Sequence, residues 1–139
     1  MAVSSKSFQV KTSGYCDIID ITDKVHEAIV ESGIENGIAT VFIAGSTAGI
    51  TTLEYEQGAI ADLKRAIGQL VPENDDYQHN QKWHDGNGFS HIRSALLKTS
   101  LTVPFSQSKL LLGSWQQIVL LDFDNRSRNR KVIVQVLGE

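Results

Sequence analysis

Residues Leu101–Leu137 read LTVPFSQSKLLLGSWQQIVLLDFDNRSRNRKVIVQVL. Apolar and β-branched runs at Leu101–Val103, Lys109–Leu112, Ile118–Phe123 and Lys131–Leu137 are separated by Ser, Gly, Asn and Asp, the residues that close turns. No helical periodicity interrupts them, so the C-terminal third reads as a run of strands, with Asp124–Arg130 as a connection. Upstream, Phe8 and Val10 alternate with polar neighbours, as do Ile19 and Ile21, which is the pattern of half-buried strands. Thr22 offers an N-cap and Gly33 a stop for a helix carrying Val25, Ala28 and Ile29. Ile38–Ala44 (IATVFIA) reads as a strand buried on both faces, broken by Gly45–Gly49 and resumed at Ile50–Leu53. Ile60, Leu63, Ile67 and Leu70 predict a helix over Gln57–Leu70 ended by Pro72, and Ile92, Ala95 and Leu96 predict a short one. Helices and strands do not alternate regularly, so the expected fold is a single α+β domain, a mostly antiparallel sheet with two to three helices.

A chain of 139 residues fits one domain. Its 41% hydrophobic and 21% charged residues describe an ordinary globular protein. The net charge of −3 argues against nucleic acid as the main partner, because neutralising phosphates needs a clustered cationic surface. The lone Cys16, in what reads as a strand, excludes an internal disulfide, and no apolar run is long enough to span a bilayer. The expectation is a cytoplasmic protein with neither nucleic-acid nor membrane partners.

Chemistry-bearing residues concentrate in the polar stretch Glu73–Ser90 and just beyond it, which reads as a long loop. His79, His84 and His91, with Asp85 adjacent, can supply imidazole and carboxylate ligands to a divalent metal ion, Zn or Mg, or hydrogen-bond locally in a solvated loop. Asp85 and Asn87 are candidates for catalytic work beside them. Gly45–Gly49 follows a buried strand; its backbone, with the hydroxyls of Ser46, Thr47 and Thr51, can cradle phosphate oxygens or form a plain bulge. Glu54 and Glu56 share a face if the strand continues, to act together or to cap the next helix, Glu54 being the catalytic candidate. Trp115 and Gln116, at the Gly113-Ser114 turn, can stack on a ring and read its edge. Arg93, beside the short helix's apolar positions, is placed off the core face as an anion clamp. Arg126, Arg128, Arg130 and Lys131 form the one basic cluster, a solvated connection with Asp122 and Asp124 as ion-pair partners of small worth, or a phosphate-binding patch.

The ordered series Ser46-Thr47-Ala48-Gly49-Ile50-Thr51, Leu70-Val71-Pro72, Tyr77-x-His79, His84-Asp85-Gly86-Asn87-x-x-Ser90-His91-Ile92-Arg93, Leu101-Thr102-Val103-Pro104, Leu112-Gly113-Ser114-Trp115-Gln116 and Val134–Glu139 resembles the YjbQ-like family over nearly the whole chain. The resemblance implies a small α+β domain assembled as a homotrimer, with clefts near subunit boundaries. It also implies a secondary thiamine-phosphate synthase, joining a hydroxymethyl-pyrimidine diphosphate to a thiazole phosphate with release of pyrophosphate. A non-catalytic metal- or phosphate-ligand-binding trimer and a metal-dependent hydrolase use the same residues. Many members carry a histidine where this chain has Gly45.

Overall fold

The computed structural model describes Met1–Glu139 in full. The strands are β1 (Ala2–Thr12), β2 (Asp17–Asp20), β3 (Gly37–Ile43), β4 (Ala48–Glu54), β5 (Ser100–Ser106), β6 (Lys109–Leu110), β7 (Gln116–Asp122) and β8 (Arg128–Gly138). The helices are α1 (Thr22–Ser32), α2 (Gln57–Leu70), α3 (Gln78–Trp83) and α4 (Gly88–Leu97). Two sheets form, in the orders β1-β8-β3-β5-β6 and β2-β7-β4. Every pairing is antiparallel, so the α+β reading holds. The helix count is four, because α3 condenses out of the segment expected to be a loop.

β7 is the strand that organises the layers. Its Ile118 and Leu120 enter the main core with α1 and the inner face of the five-stranded sheet, represented by Val41, Val134 and Phe105. Val119 and Leu121, with Phe123 just beyond the strand, enter a second core with Cys16 and Ile18, closed by Ile60, Leu63 and Ile67 of α2 and Leu97 of α4. β7 is therefore buried on both faces, the environment expected of β3. β3 instead alternates: Ala39, Val41 and Ile43 are buried, whereas Ile38 and Phe42 face outward. A continuous apolar run does not reveal how many layers cover it; here α2 and α4 cover the second face of the three-stranded sheet, whereas Ile38 and Phe42 on the far face of β3 stay open.

α2 spans the expected residues, and Glu56 caps it by accepting from the N–H groups of Gly58 and Ala59. Those backbone donors hold the Glu56 carboxyl below its usual range. α4 is turned relative to the sequence expectation. Phe89, Ser90, Arg93 and Ser94 are buried, while Ile92 and Leu96 are exposed. The reason is close approach to β4: Ser94 Oγ donates to the Ala48 carbonyl, and a Cβ on Gly49 would stand 2.7 Å from Leu97 Cδ2 and 2.9 Å from the Lys98 carbonyl oxygen. Small residues on that face let helix and strand touch, and the phase of the helix follows from them. Cys16 lies in a left-handed turn (φ 63°) between β1 and β2, not in a strand. Its thiol is packed, and burial pushes its pKa up. No helix is long and apolar enough to cross a membrane.

Two-sided burial of β7 has a measurable consequence. Ile118→Ala and Leu121→Ala, on opposite faces, should each cost about 2–5 kcal/mol in urea unfolding. Ile38→Ala, on the open face of β3, should cost under about 1 kcal/mol. A low cost for either β7 variant would contradict the two-layer core.

Candidate functional site

The site grows from the end of β7. Once the strand has passed through both cores, its next acids cannot reach solvent: Asp122 and Asp124 are fully buried. β8 runs beside β1 and supplies their cations. Arg128 and Arg130 are two residues apart on a strand and so share a face, and Arg130 is itself buried. Arg130 grips Asp122 with both arms of a fork, Nε to Oδ2 at 2.7 Å and Nη2 to Oδ1 at 2.8 Å. Thr12 Oγ1 adds a bond to Asp122 Oδ2 at 2.6 Å, and the Asp124 N–H donates to Oδ1 at 3.1 Å.

Asp124 is the second hub. Arg128 donates to its Oδ2 from Nε at 2.8 Å and Nη2 at 2.6 Å. Thr47 Oγ1 donates to the same oxygen at 3.1 Å and accepts from Arg130 Nη2 at 2.6 Å, tying the two pairs together. Asn87 Nδ2 and the Asn125 N–H donate to Oδ1 at 3.2 and 2.8 Å. Burial pushes the Asp124 pKa up, but the donors from Asn87, Asn125 and Arg128 outweigh it and leave it below the usual carboxylate value. These pairs are buried, so the surface cluster of small worth expected from the sequence is corrected. The β7 core excludes water from both acids, and in such surroundings a charge missing its partner is costly.

The network floors an open cleft of about 410 Å³ whose walls include Gly45, Ser46, Thr47, His79, Asp85 and His91. The N–H groups of Gly45, Ser46 and Thr47 make no hydrogen bond within the chain. Gly45 has φ 138°, and a Cβ there would stand 3.0 Å from Arg130 Nη1, so backbone strain and the guanidinium both favour glycine at this position. His79 and His91, from α3 and α4, lie with ring centroids 4.3 Å apart. α3 is pinned against α4 by Gly88, whose N–H donates to Asn80 Oδ1 at 2.8 Å and where a Cβ would stand 2.5 Å from Tyr77 Cβ. Asp85 Oδ1 sits 3.5 Å from His79 Nδ1, too far for a good hydrogen bond, and that nitrogen has no other partner.

The sequence candidates therefore divide. Ser46, Thr47, His79, Asp85, Asn87 and His91 converge on the cleft. His84 does not line it: it ends α3 in a left-handed conformation (φ 58°), exposed to solvent. His79, His84 and His91 thus do not converge as a triad, and no group of three His, Cys, Asp or Glu side chains is arranged to hold a metal ion. Glu54, Trp115 and Gln116 line a separate depression with Thr52 and Leu53, where Gln116 Nε2 donates to Thr52 Oγ1. Thr51 lies between the two places on β4. From Ala48, beside the cleft, to Glu54 the strand runs about 20 Å at about 3.3 Å per residue, beyond the reach of one small ligand. Arg93 is not off the core face. It is buried, because α4 presents it to the second core, and its Nε donates to the Val71 carbonyl at 3.0 Å.

Asp122 and Asp124 are not among the sequence candidates, and Arg128 and Arg130 enter there only through the lesser, phosphate-binding reading of the basic cluster. Their signal was the alternation of Arg128 and Arg130 and two acids closing an apolar run. The depressed pKa of Asp124 makes it contribute stability that is complete above its unfolded value of about 4 and is lost as pH falls through the lower folded value. Asp124→Asn should therefore lower the melting temperature at pH 7 and flatten its decline below about pH 4, as read by calorimetry across pH. An unchanged acid slope would remove Asp124 from the account.

A family model described as "UPF0047 protein YjbQ-like" matches residues 6–139. A UPF0047 protein of Methanothermobacter thermautotrophicus is 37% identical over 139 residues, covering 100% of this chain and 95% of its own. One from Archaeoglobus fulgidus is 38% identical over 128 residues, covering 92% of this chain and 97% of its own. Among solved structures, a YbjQ-like protein of unknown function from Sulfolobus solfataricus superposes with a TM-score of 0.94 at 33% identity, covering 99% of each chain. An uncharacterized conserved protein from Clostridium acetobutylicum superposes with 0.87 at 35% identity, covering 95% of this chain and 99% of that one. With a matched model over almost its whole length and relatives this similar, the chain belongs to the UPF0047 YjbQ-like family.

Proposed function

We propose that the cleft binds a small phosphate-bearing molecule and that the chemistry is of the thiamine-phosphate-synthase kind. The observation that carries this reading is a cleft lined by Gly45, Ser46 and Thr47, whose backbone N–H groups make no bond within the chain, together with Arg128 and Arg130, whose guanidinium groups are fixed by buried acids. Donors held in place before the ligand arrives stabilise developing negative charge without reorganising. In the transfer, the C–O bond at the pyrimidine's methylene breaks, its electron pair leaves with pyrophosphate, and a bond to the thiazole forms. Arg128, Arg130 and the Gly45–Thr47 backbone hold the departing oxygens. His79 and His91 are within the cleft, where an imidazole can donate a proton to an oxygen of the departing pyrophosphate. For the Zn or Mg ion expected from the sequence, the chain by itself assembles no group of three His, Cys, Asp or Glu side chains.

A homotrimer is part of the same proposal. The exposed Trp115 ring and Gln116 suit a heteroaromatic ring, yet they lie at the far end of β4 from the cleft. A neighbouring copy supplying that depression to the cleft would complete a site for two substrates.

Titration calorimetry with pyrophosphate tests the cleft. Arg128→Ala should weaken binding about tenfold or more, the worth of a hydrogen bond to a charged group. Trp115→Ala should leave pyrophosphate binding unchanged while slowing product formation. Absence of pyrophosphate binding to the wild type would reject the reading. Pyrophosphate released without the thiazole phosphate would replace transfer by hydrolysis, and light scattering that returned a monomer would remove the trimer.

A further inference from the structure

A second cavity lies where α4 meets the end of α2, and its chemistry differs from that of the cleft. It measures about 140 Å³ and is walled by Ile67, Leu70, Val71, Leu96, Leu97 and Phe123, with Arg93 as the one polar residue. Arg93 is 5% exposed. Its Nε is satisfied by the Val71 carbonyl, but Nη1 and Nη2 make no hydrogen bond within the chain. Arg93 also belongs to none of the molecule's ion pairs. Its guanidinium lies 4.8 Å from the Phe89 ring centroid and 6.0 Å from that of Phe123, so aromatic faces provide partial compensation. Neither nitrogen is wholly sealed from solvent, yet a mostly buried cation without a counter-charge is costly, and arginine is always charged. The contrast with Arg130, equally buried and gripped by Asp122, shows what Arg93 lacks.

We propose that this cavity binds a small organic carboxylate. The carboxylate completes the fork of Arg93 in bidentate fashion, and the apolar body lies against Ile67, Leu97 and Phe123. The volume suits a body of about six carbons, since an apolar cavity of about 150 Å³ holds benzene. A phosphate dianion is disfavoured, because apart from Arg93 every wall is apolar and its second charge would find no donor. The exposed Leu70 and Leu96 form the rim through which such a molecule enters.

The test uses the full chain with benzoate, its neutral isostere benzamide, and inorganic phosphate, followed by methyl NMR and calorimetry. Benzoate should shift the methyl signals of Leu96 and Leu97 and bind about tenfold or more tightly than benzamide. Phosphate should leave those signals still. Ile67→Phe, which fills the cavity without touching the guanidinium, should abolish benzoate binding and keep the fold. Arg93→Lys should retain weakened binding, a result that stays informative if Arg93→Gln fails to fold. Equal affinity for benzoate and benzamide, or undiminished binding to Ile67→Phe, would overturn the proposal. So would no benzoate binding at millimolar concentration, as expected if a second copy of the chain covers the rim. None of these outcomes depends on what binds in the cleft at Gly45–Thr47.

Discussion

The bidentate pair between Asp122 and Arg130 is the interaction on which the rest of this structure depends. β7 must pass between two cores, and its terminal acids emerge where both layers still exclude water. A carboxylate there is tolerable only if a cation is fixed beside it and its remaining lone pairs are filled. β8 delivers that cation through its pairing with β1, and Thr12 of β1 fills a further position. The register of one sheet thus determines whether the acids of the other can be buried. The cleft inherits its rigidity from this constraint, because Thr47 accepts from Arg130 and donates to Asp124, which also holds Arg128.

Solved relatives with TM-scores of 0.94 and 0.87 share the two-sheet architecture, so the crossing of β7 through two cores is a property of the fold. The first of these relatives is a protein of unknown function, and the second is uncharacterized. What favours a phosphate-bearing ligand is therefore the chemistry of this chain's own cleft. Gly45 is part of that chemistry: a left-handed backbone and the nearness of Arg130 leave a small residue there, and the N–H groups of Gly45, Ser46 and Thr47 have no partner within the chain.

Much of the fold was legible in the sequence because local pattern and tertiary context agreed. The helix over Gln57–Leu70 had its apolar stripe and its proline stop, and the strand run after Leu101 had its turn residues. Legibility failed where packing overrode pattern. Ile92, Ala95 and Leu96 have the spacing of a buried stripe, but Ser90, Ser94 and Gly49 allow a closer contact that turns α4 and buries Arg93 instead. The cluster of polar cleft residues was visible as composition, whereas the failure of His84 to join it depends on where α3 ends. Asp122 and Asp124 were read as surface acids because a sequence does not state how many layers will cover a strand.

The most direct test of the cleft is a backbone amide NMR titration of the full chain with pyrophosphate. The account predicts that the Gly45, Ser46 and Thr47 amide signals move first and saturate together with the Arg128 and Arg130 side-chain NεH signals. The signals of Thr52, Leu53 and Trp115, at the other end of β4, should stay in place. Saturable shifts confined to that far depression, or no shift at Gly45–Thr47, would contradict it.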